Sequence, residues 1–288
     1  MNAGFAQRVF RAHLVPQFSN RKTLTTRRSG ASTHILKGVD DAKTTEHQFL
    51  NLIRTRRTIS NFDPRPSEDD GGASIKTAID RAVECAMTAP NHKLTEPTTY
   101  HRILASSPAH KRLLDIVYET TLQSLLANQL SGEMACKSEA KRKRDKWSAI
   151  PAFVAVTVDG MDPCQEQDES KSDSDYSTTV PFMGPRNTPQ LEDYASACAS
   201  IQNMLLSLHS IGLGSKWTTG PLIQTRAFRS LVGCGRQEAV VGLVMIGFAK
   251  RQPRLRRRRI LSDVLRDVTV TDDNEPSPDQ ASSTKDAE

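Results

Sequence analysis

The sequence lacks the features of several large classes of protein. Its longest apolar run, residues 239–248, is ten residues long, whereas a membrane-spanning helix needs about 18 or more. Its five cysteines are widely spaced and form no CxxC or Cys/His zinc pattern. That spacing favours ordinary thiols in a reducing compartment over a disulfide or zinc framework. The sequence therefore predicts a chain that does not span a membrane and whose fold depends on its own apolar core.

Motifs of hydrolysis and of standard nucleotide binding are missing as well. Seven histidines are present, but the sequence contains no HExxH, no GxSxG and no paired acidic motif, so metal-dependent hydrolysis and serine nucleophile chemistry have no support. There is no GxxxxGK[ST] loop and no GxGxxG after a strand. Standard ATP and Rossmann dinucleotide sites are therefore not expected, and no metal site is predicted.

Acidic residues are absent from the first 39 positions, which carry seven arginines and lysines among many hydroxyl residues. Such a start is typical of an organelle transit peptide, so we expect residues 1–42 to be a leader to the mitochondrion. A plastid leader, or a disordered basic tail on a cytoplasmic protein, is the alternative. Without those seven positive charges the formal net charge falls from +6 to −1, which removes the main support for nucleic-acid binding.

The remaining chain divides by composition. Residues 271–288 are acidic and nearly free of apolar side chains, so we expect a disordered tail that cannot offset its ordering entropy. The globular domain is expected at residues 45–268, with residues 161–190 as a polar surface insertion. Apolar periodicity predicts helices over residues 45–58, 73–88, 108–130, 191–211 and 221–232, a loop at 216–220, and strands over 100–104, 151–158 and 239–248. Alternating strands and long helices indicate a mixed α/β or α+β sheet layered with helices.

Three segments offer groups that bind anions. Arg56, Arg57 and Thr58 end the first predicted helix and provide guanidinium groups and a hydroxyl, which suit a phosphate. The sequence Ala-Pro-Asn-His-Lys at 89–93 is a rigid polar loop. The glycine-rich stretch 212–220 joins flexible backbone to hydroxyls and a lysine and could surround a phosphate. Each segment alone has an ordinary structural explanation as a solvated helix end, a turn or a helix cap.

The order and spacing of these segments carry more information. A helix ending in RRT, then APNHKxxxP before a strand, then EDYAxxCAxxQNMLLxxHxxGLGxKWxTG resembles the flavin-dependent nitroreductase family over residues 49–268. The resemblance is closest to the short bacterial-type NAD(P)H nitroreductases, in which comparable RRS, APDHK and GxWRSG segments occur. It implies an α+β three-layer sandwich, with helices around a central mixed, mainly antiparallel sheet, in an intertwined homodimer that binds FMN at the subunit interface.

The resemblance also implies roles for particular residues. FMN would be held by eight of them: Arg56, Arg57, Thr58, Thr88, His92, Trp217, Thr218 and Thr219, with His92 contributed by the other subunit. A weaker match assigns the nicotinamide nucleotide, NADH or NADPH, to Ser207, Leu208, His209, Ser210, Ile211 and Gly212. No protein side chain is expected to be catalytic, because FMN carries the chemistry. The expected reaction is ping-pong hydride transfer through flavin N5 to a nitroaromatic, a quinone or a similar small acceptor.

Two positions depart from the family pattern. The family often has Arg or Lys two to three residues after RRS, where Ser60 and Asn61 stand here. Thr88 replaces what is commonly Arg, so that one phosphate contact is missing or is supplied by Lys216. These departures motivate an alternative, a flavin-binding regulatory or scaffold protein without turnover. Dehalogenases and flavin-fragmenting enzymes of the same fold are further alternatives, and we expect neither a nucleic-acid nor a membrane partner. The small-residue helix 191–211 is the expected dimer core.

Overall fold

The computed structural model describes residues 44–64, 75–105, 107–128, 132–161, 184–255 and 257–268. The predicted leader, the acidic tail and most of the predicted insertion lie outside these residues. The chain divides into two units, residues 1–50 and 51–288. In the first unit, the described residues 44–50 are helical and mostly exposed. The second unit begins with helical residues 51–55 and contains every element discussed below.

A five-stranded sheet organises the second unit. Its strands are β1 (Phe62–Asp63), β2 (Thr98–Leu104), β3 (Ala152–Val158), β4 (Gly214–Thr218) and β5 (Ala239–Ala249). The order is β1-β5-β3-β2, and β4 also pairs with β5. All four strand pairings are antiparallel, and an isolated parallel bridge joins Thr58 to Ser215. The prediction of a mixed, mainly antiparallel sheet is therefore confirmed.

Six helical segments belong to the described part of the second unit. They are α1 (51–55), α2 (Ile75–Met87), α3 (Pro108–Ala127), α4 (Glu133–Ser148), α5 (Thr188–Ser210) and α6 (Arg226–Leu231). Side-chain caps begin three of them: Ser107, Asn187 and Thr225 accept backbone N–H groups of the first turns of α3, α5 and α6, which is the preferred role of these residue types. None of the described helices is both long and apolar enough to cross a membrane.

Two apolar clusters hold the layers together, one on each face of the sheet. On one face, α2 and α5 bury residues such as Ile79 and Ile201 against β3 and β5. On the other face, α3, α4 and α6 pack residues such as Ile116 and Phe228 around Phe153. Every residue of β3 is buried, as its uninterrupted apolar sequence predicts. The α+β three-layer sandwich is confirmed.

The structure corrects three sequence predictions. The first helix ends at residue 55, so that residues 56–58 are not helical and Thr58 bridges to β4. Residues 214–218 form strand β4 rather than a flexible loop, because their backbone pairs with β5 over Gly214–Gly247 to Thr218–Leu243. The predicted helix 221–232 is divided at the extended residue Thr225 into a 3-10 turn, Pro221–Gln224, and α6.

The small residues of α5 face α2 within the subunit. Ser196, Ala197 and Ser200 are buried, and α2 presents Ala82 and Ala86 to the same cluster. Small side chains on both helices allow this close packing. This packing occupies one face of α5, and the helix's predicted role in a dimer stays a prediction.

Candidate cofactor site

The two arginines of the RRT segment lie beside the first residues of β4. The backbone N–H of Ile59 donates to the carbonyl of Ser215 at 3.0 Å, and Thr58 forms the parallel bridge to Ser215. This approach needs a glycine, because a Cβ at Gly214 would lie 2.8 Å from Cγ1 of Ile59. Two segments about 160 residues apart, both predicted to contact FMN, are thereby brought together.

The end of α5 joins the same place through His209. The hydroxyl of Thr55 and Nε2 of His209 lie 3.0 Å apart. Burial lowers the pKa of His209, and the positive charges of Arg56 and Arg57 lower it further. The imidazole therefore favours its neutral form beside the two guanidinium groups.

Arg57 retains binding capacity that the described residues do not use. Its Nη1 donates to the carbonyl oxygens of Arg54 and Arg56, each at 2.6 Å. Its Nε–H is buried and has no hydrogen-bond partner among the described residues. A buried donor without a partner is costly, so an external acceptor, such as a phosphate oxygen, would stabilise this arrangement. The residues present therefore fit a phosphate.

The charge of Arg258 also acts on this cluster, and the sequence predictions include no role for this residue. The pKa of Arg56 is lowered by burial first and then by the charges of Arg57 and Arg258, which places Arg258 within electrostatic range of Arg56. Arg258 lies in the arginine-rich run 254–259, where no cofactor contact was predicted. Its position soon after β5, which pairs with β4, is the signal that could have located it.

A cavity of about 400 Å³ opens beside β4. Its lining includes residues from the segment that follows RRT, from β4 and from α4. It includes Ser60, Lys216, Thr218 and Gly220, together with an apolar wall that contains Trp147. The size is within the range of small-molecule sites, which typically combine apolar walls with a few polar groups.

Helix α4 contributes a stripe of residues to this cavity. Glu139, Arg142, Lys143, Lys146 and Trp147 of the helix line it, and Ile150 lines it just after the helix ends. Their spacing of three and four residues places them on one side of a helix. None of the predicted site residues lies in the basic segment 141–146, although its helical periodicity separates the residues that line the cavity from the solvated ones.

Strand β4 directs the predicted FMN-binding residues to both of its faces. Lys216 and Thr218 line the cavity. The indole of Trp217 packs with the α2–α5 cluster over Gly242, where a Cβ would collide with the ring. Thr219 follows the strand and is exposed. Of the predicted residues Trp217, Thr218 and Thr219, the structure brings Thr218 to the cavity. Lys216 lines the cavity together with residues of α4 rather than lying with the arginines near His209.

The stretch matched to the nicotinamide nucleotide is the last turn of α5 and its cap. Leu208 is fully buried in the core, so its side chain is not available to a ligand. Ser210, Ile211 and Gly212 are exposed, and Gly212 has a φ of 82°, which favours glycine at a helix end. Within this stretch, His209 contacts Thr55, which directly precedes the RRT segment.

The Ala-Pro-Asn-His-Lys loop is tightly constrained and lies near the other end of α5. Nδ1 of His92 lies 3.9 Å from Oε2 of Glu192, and the hydroxyl of Thr95 donates to Asp193 at 2.7 Å. Lys93, Leu94 and Glu96 have positive φ angles of 53°, 55° and 45°. Such backbone strain concentrates at functional sites. Thr88 precedes the loop, and its hydroxyl donates to the carbonyl of Cys85 at 2.7 Å.

Helix α5 therefore separates two parts of the predicted site. Glu192, next to His92, and His209, next to Arg56, are 17 positions apart on one helix, which corresponds to about 25 Å at 1.5 Å per residue. The structure does not bring His92 to the arginines within one chain. A second chain is required if one ligand is to contact both.

Among the described residues, no cluster of His, Cys, Asp and Glu could hold a metal ion. The chemical groups that this site offers are instead ones that bind anions.

A model of the nitroreductase family matches residues 53–248. The chain belongs to the nitroreductase family.

Relatives and solved structures agree with this assignment. The chain is similar to a Bacillus subtilis protein designated "Putative NAD(P)H nitroreductase YfhC", with 22% identity over 76% of this chain and 93% of the relative. A Haemophilus influenzae protein designated "Putative NAD(P)H nitroreductase" is 26% identical over 69% of this chain and 86% of its own length. The fold is similar to that of a nitroreductase-like family protein from Bacillus cereus, with a TM-score of 0.55, 23% identity and coverage of 76% and 95% of the two chains. A Desulfovibrio desulfuricans protein described as a "putative nitroreductase in complex with FMN" has a TM-score of 0.50, 17% identity and coverage of 77% and 97%.

The nitroreductase match contains most of the candidate site. It includes the RRT segment, the Ala-Pro-Asn-His-Lys loop, the α4 stripe and β4. Arg258, whose charge lowers the pKa of Arg56, lies beyond it.

Proposed function

We propose that this nitroreductase-family chain is an FMN-dependent oxidoreductase that uses NADH or NADPH. The observation that carries the proposal is the buried Nε–H of Arg57, which has no hydrogen-bond partner among the described residues. Arg57 directly precedes Thr58 and Ile59, which bridge to Ser215 of β4. Its relatives are designated NAD(P)H nitroreductases, and a solved structure with a similar fold contains FMN.

Arg56 and Arg57, with Arg258, would hold the phosphate of FMN. Arg57 offers its unpaired Nε–H, and Arg56 and Arg258 add positive charge. Guanidinium groups bind phosphate oxygens through charge-assisted hydrogen bonds. Since burial and both arginines disfavour protonation of His209, this residue orients the cluster through Thr55 rather than adding a fixed charge.

The cavity beneath β4 would accept the ring system. Ser60 and Thr218 provide hydroxyls, and Trp147 lies in an apolar wall that excludes water from one side. Bound FMN supplies hydride transfer through N5, the chemistry that no side chain of the chain provides. The chain's own residues would bind the ring system, orient it and shield it from water. Donor and acceptor would use the same exposed opening in turn, which predicts ping-pong kinetics with a nitroaromatic, a quinone or a similar small acceptor.

The proposed assembly is a homodimer in which His92 completes the site of the partner. Two observations support it: the separation of about 25 Å along α5, and an arm after β5 that exposes six apolar side chains. These are Leu255, Ile260, Leu261, Val264, Leu265 and Val268. Exposed apolar clusters of this kind mark interaction sites. Leu261→Asp with Leu265→Asp should convert a dimer into a monomer in sedimentation, and a wild-type monomer would contradict the assembly.

Absorbance and calorimetry test the proposed cofactor directly. The purified full chain should be yellow or should bind added FMN, and anaerobic NADPH or NADH should bleach the visible flavin band. A protein that binds FMN but is not bleached by either nucleotide would instead support the scaffold alternative, which the absence of a cation at Thr88 favours. A colourless protein that binds no FMN would contradict both.

We also propose that residues 1–42, of which the first 39 contain no Asp or Glu, direct the protein to the mitochondrion. The support is their composition, which is typical of a leader. Residues 1–42 fused to a fluorescent protein should co-localise with a mitochondrial marker. Plastid or diffuse cytoplasmic fluorescence would favour the corresponding alternative.

A further inference from the structure

The cavity beneath β4 holds more positive charge than the described residues neutralise. Arg142 is paired with Glu139, with nitrogen–oxygen distances of 2.8 and 2.7 Å. Lys143, Lys146 and Lys216 line the same cavity, and no carboxylate of the described residues forms an ion pair with them. Three lysines without an ion-pair partner among the described residues therefore line the cavity.

Two of these lysines influence each other electrostatically. Burial lowers the pKa of Lys143, the charge of Lys216 lowers it further, and Glu139 partly offsets the effect. Like charges held close in a partly desolvated cavity cost free energy. An anionic group between them would recover that cost, so the arrangement favours an occupant with negative charge.

Strand β4 brings Lys216 to the cavity that Ser60 also lines. Lys216 pairs with Met245 of β5, and the bridge between Ser215 and Thr58 brings residue 60 to the same cavity. Ser60 stands where the family resemblance predicts Arg or Lys within two to three residues of RRT. A serine hydroxyl carries no charge, whereas Lys216 places an ammonium group in the cavity that Ser60 lines.

We propose that Lys216 replaces the missing cation after the RRT segment and stabilises the negative charge of the reduced FMN ring. This inference rests on the proposed function. Hydride from NAD(P)H brings two electrons and one proton, so the neutral ring becomes an anion unless a second proton is added. Fixed charge near the ring changes the stability of this anion more than that of the neutral oxidised ring. Lys216 therefore acts on the reduced form.

The test compares Lys216→Met and Lys216→Gln with Lys141→Met in the full-length protein. Lys141 lies on α4 and is exposed, and it does not line the cavity. The readouts are the dissociation constant of oxidised FMN and the midpoint potential of bound FMN. We expect both Lys216 variants to bind reduced FMN about tenfold more weakly, with less than a threefold change for oxidised FMN. That difference corresponds to a midpoint potential lower by about 30 mV.

A relocated charge provides the second arm. The double variant Ser60→Lys with Lys216→Met should recover most of the lost potential, because the ammonium group enters the same cavity from the neighbouring segment. Equal potentials in the Lys216 and Lys141 variants, an equal loss of affinity for both redox forms, or no recovery in the double variant would overturn the inference. Failure of the wild-type protein to bind FMN would instead contradict the proposed function, on which the inference depends.

Discussion

The hydroxyl of Thr55 and the imidazole of His209 lie 3.0 Å apart, and this contact joins the RRT end of the chain to the last turn of α5. It holds Arg56 and Arg57 at the edge of the sheet, next to the first residues of β4. The basic cluster is therefore built by tertiary contacts between three separate segments. Changes at any of them should affect the binding of a phosphorylated ligand.

Arg57→Ala should weaken FMN binding about 10- to 100-fold. The variant removes a guanidinium whose buried Nε–H has no partner in the part of the chain that the structure describes, and a hydrogen bond to a charged group contributes about 1.5–3 kcal/mol. Titration of the apoprotein with FMN, followed by flavin fluorescence, measures the change. Arg54→Ala is the matched control, because the Arg54 side chain is exposed and only its carbonyl contacts Arg57. Equal affinities in the two variants would remove Arg57 from the site.

His209 should make the protein less stable as the pH falls. Burial and the two arginines lower its pKa in the folded protein, whereas in the unfolded chain a histidine has a pKa of about 6.5. The unfolded chain therefore takes up the proton first, and the free energy of unfolding decreases as the pH falls below about 6.5. The decrease ends once the pH is below the folded-state pKa.

Urea denaturation at several pH values tests this expectation. His209→Gln should lose less stability than the wild type between pH 7 and pH 5, because it cannot take up the proton. His47→Gln, at an exposed position, should retain the wild-type pH dependence. Parallel curves for wild type and His209→Gln would show that His209 does not contribute.

Gly242→Ala should destabilise the fold by about 1–3 kcal/mol, the usual cost of overpacking a core. The new methyl would collide with the indole of Trp217 and displace it from the carbonyl of Val241, to which Nε1 donates at 3.4 Å. Thermal unfolding and tryptophan fluorescence report both effects. Gly132→Ala is the control, because no atom lies within 4 Å of a Cβ built there. An unshifted emission spectrum would mean that Trp217 stays in place.

Cys234 should resist alkylation. Burial raises the pKa of its thiol to about 11, with Arg229 lowering it and Glu238 raising it, and Sγ lies 3.4 Å from the Glu238 carbonyl oxygen. At pH 8 such a thiol contains over 100-fold less thiolate than one with the ordinary pKa of about 8.5. Mass spectrometry after brief iodoacetamide treatment should find the exposed Cys85 modified and Cys234 unmodified. Similar rates would contradict the assigned protonation state.

The sequence predicts the core of the fold better than its edge. Strand β3 is recognisable from its apolar run because both of its faces are covered. A loop was predicted at β4 because Lys216 and its glycine and threonine neighbours do not follow the pattern of a strand. The partner of β4, strand β5, is 25 positions or more away in the chain. Long-range pairing of this kind is not visible in a local window.

The site follows the same distinction. The RRT segment and Thr218 were predicted from the family resemblance. The cavity lysines of α4 and the position of Arg258 depend on which segments the fold brings together. Local sequence near Arg258 consists of consecutive arginines, and nothing in that run distinguishes the residue that approaches Arg56 from its neighbours.

The length of α5 has a consequence for dimers that contain two different variants. If each ligand takes Arg57 from one chain and His92 from the other, two different defects can cancel. A mixed dimer of an Arg57→Ala chain and a His92→Ala chain would contain one pocket with both lesions and one with neither. Co-refolding the two inactive variants should then restore FMN to half of the pockets in every mixed dimer, whereas a pocket built within one chain would show no complementation.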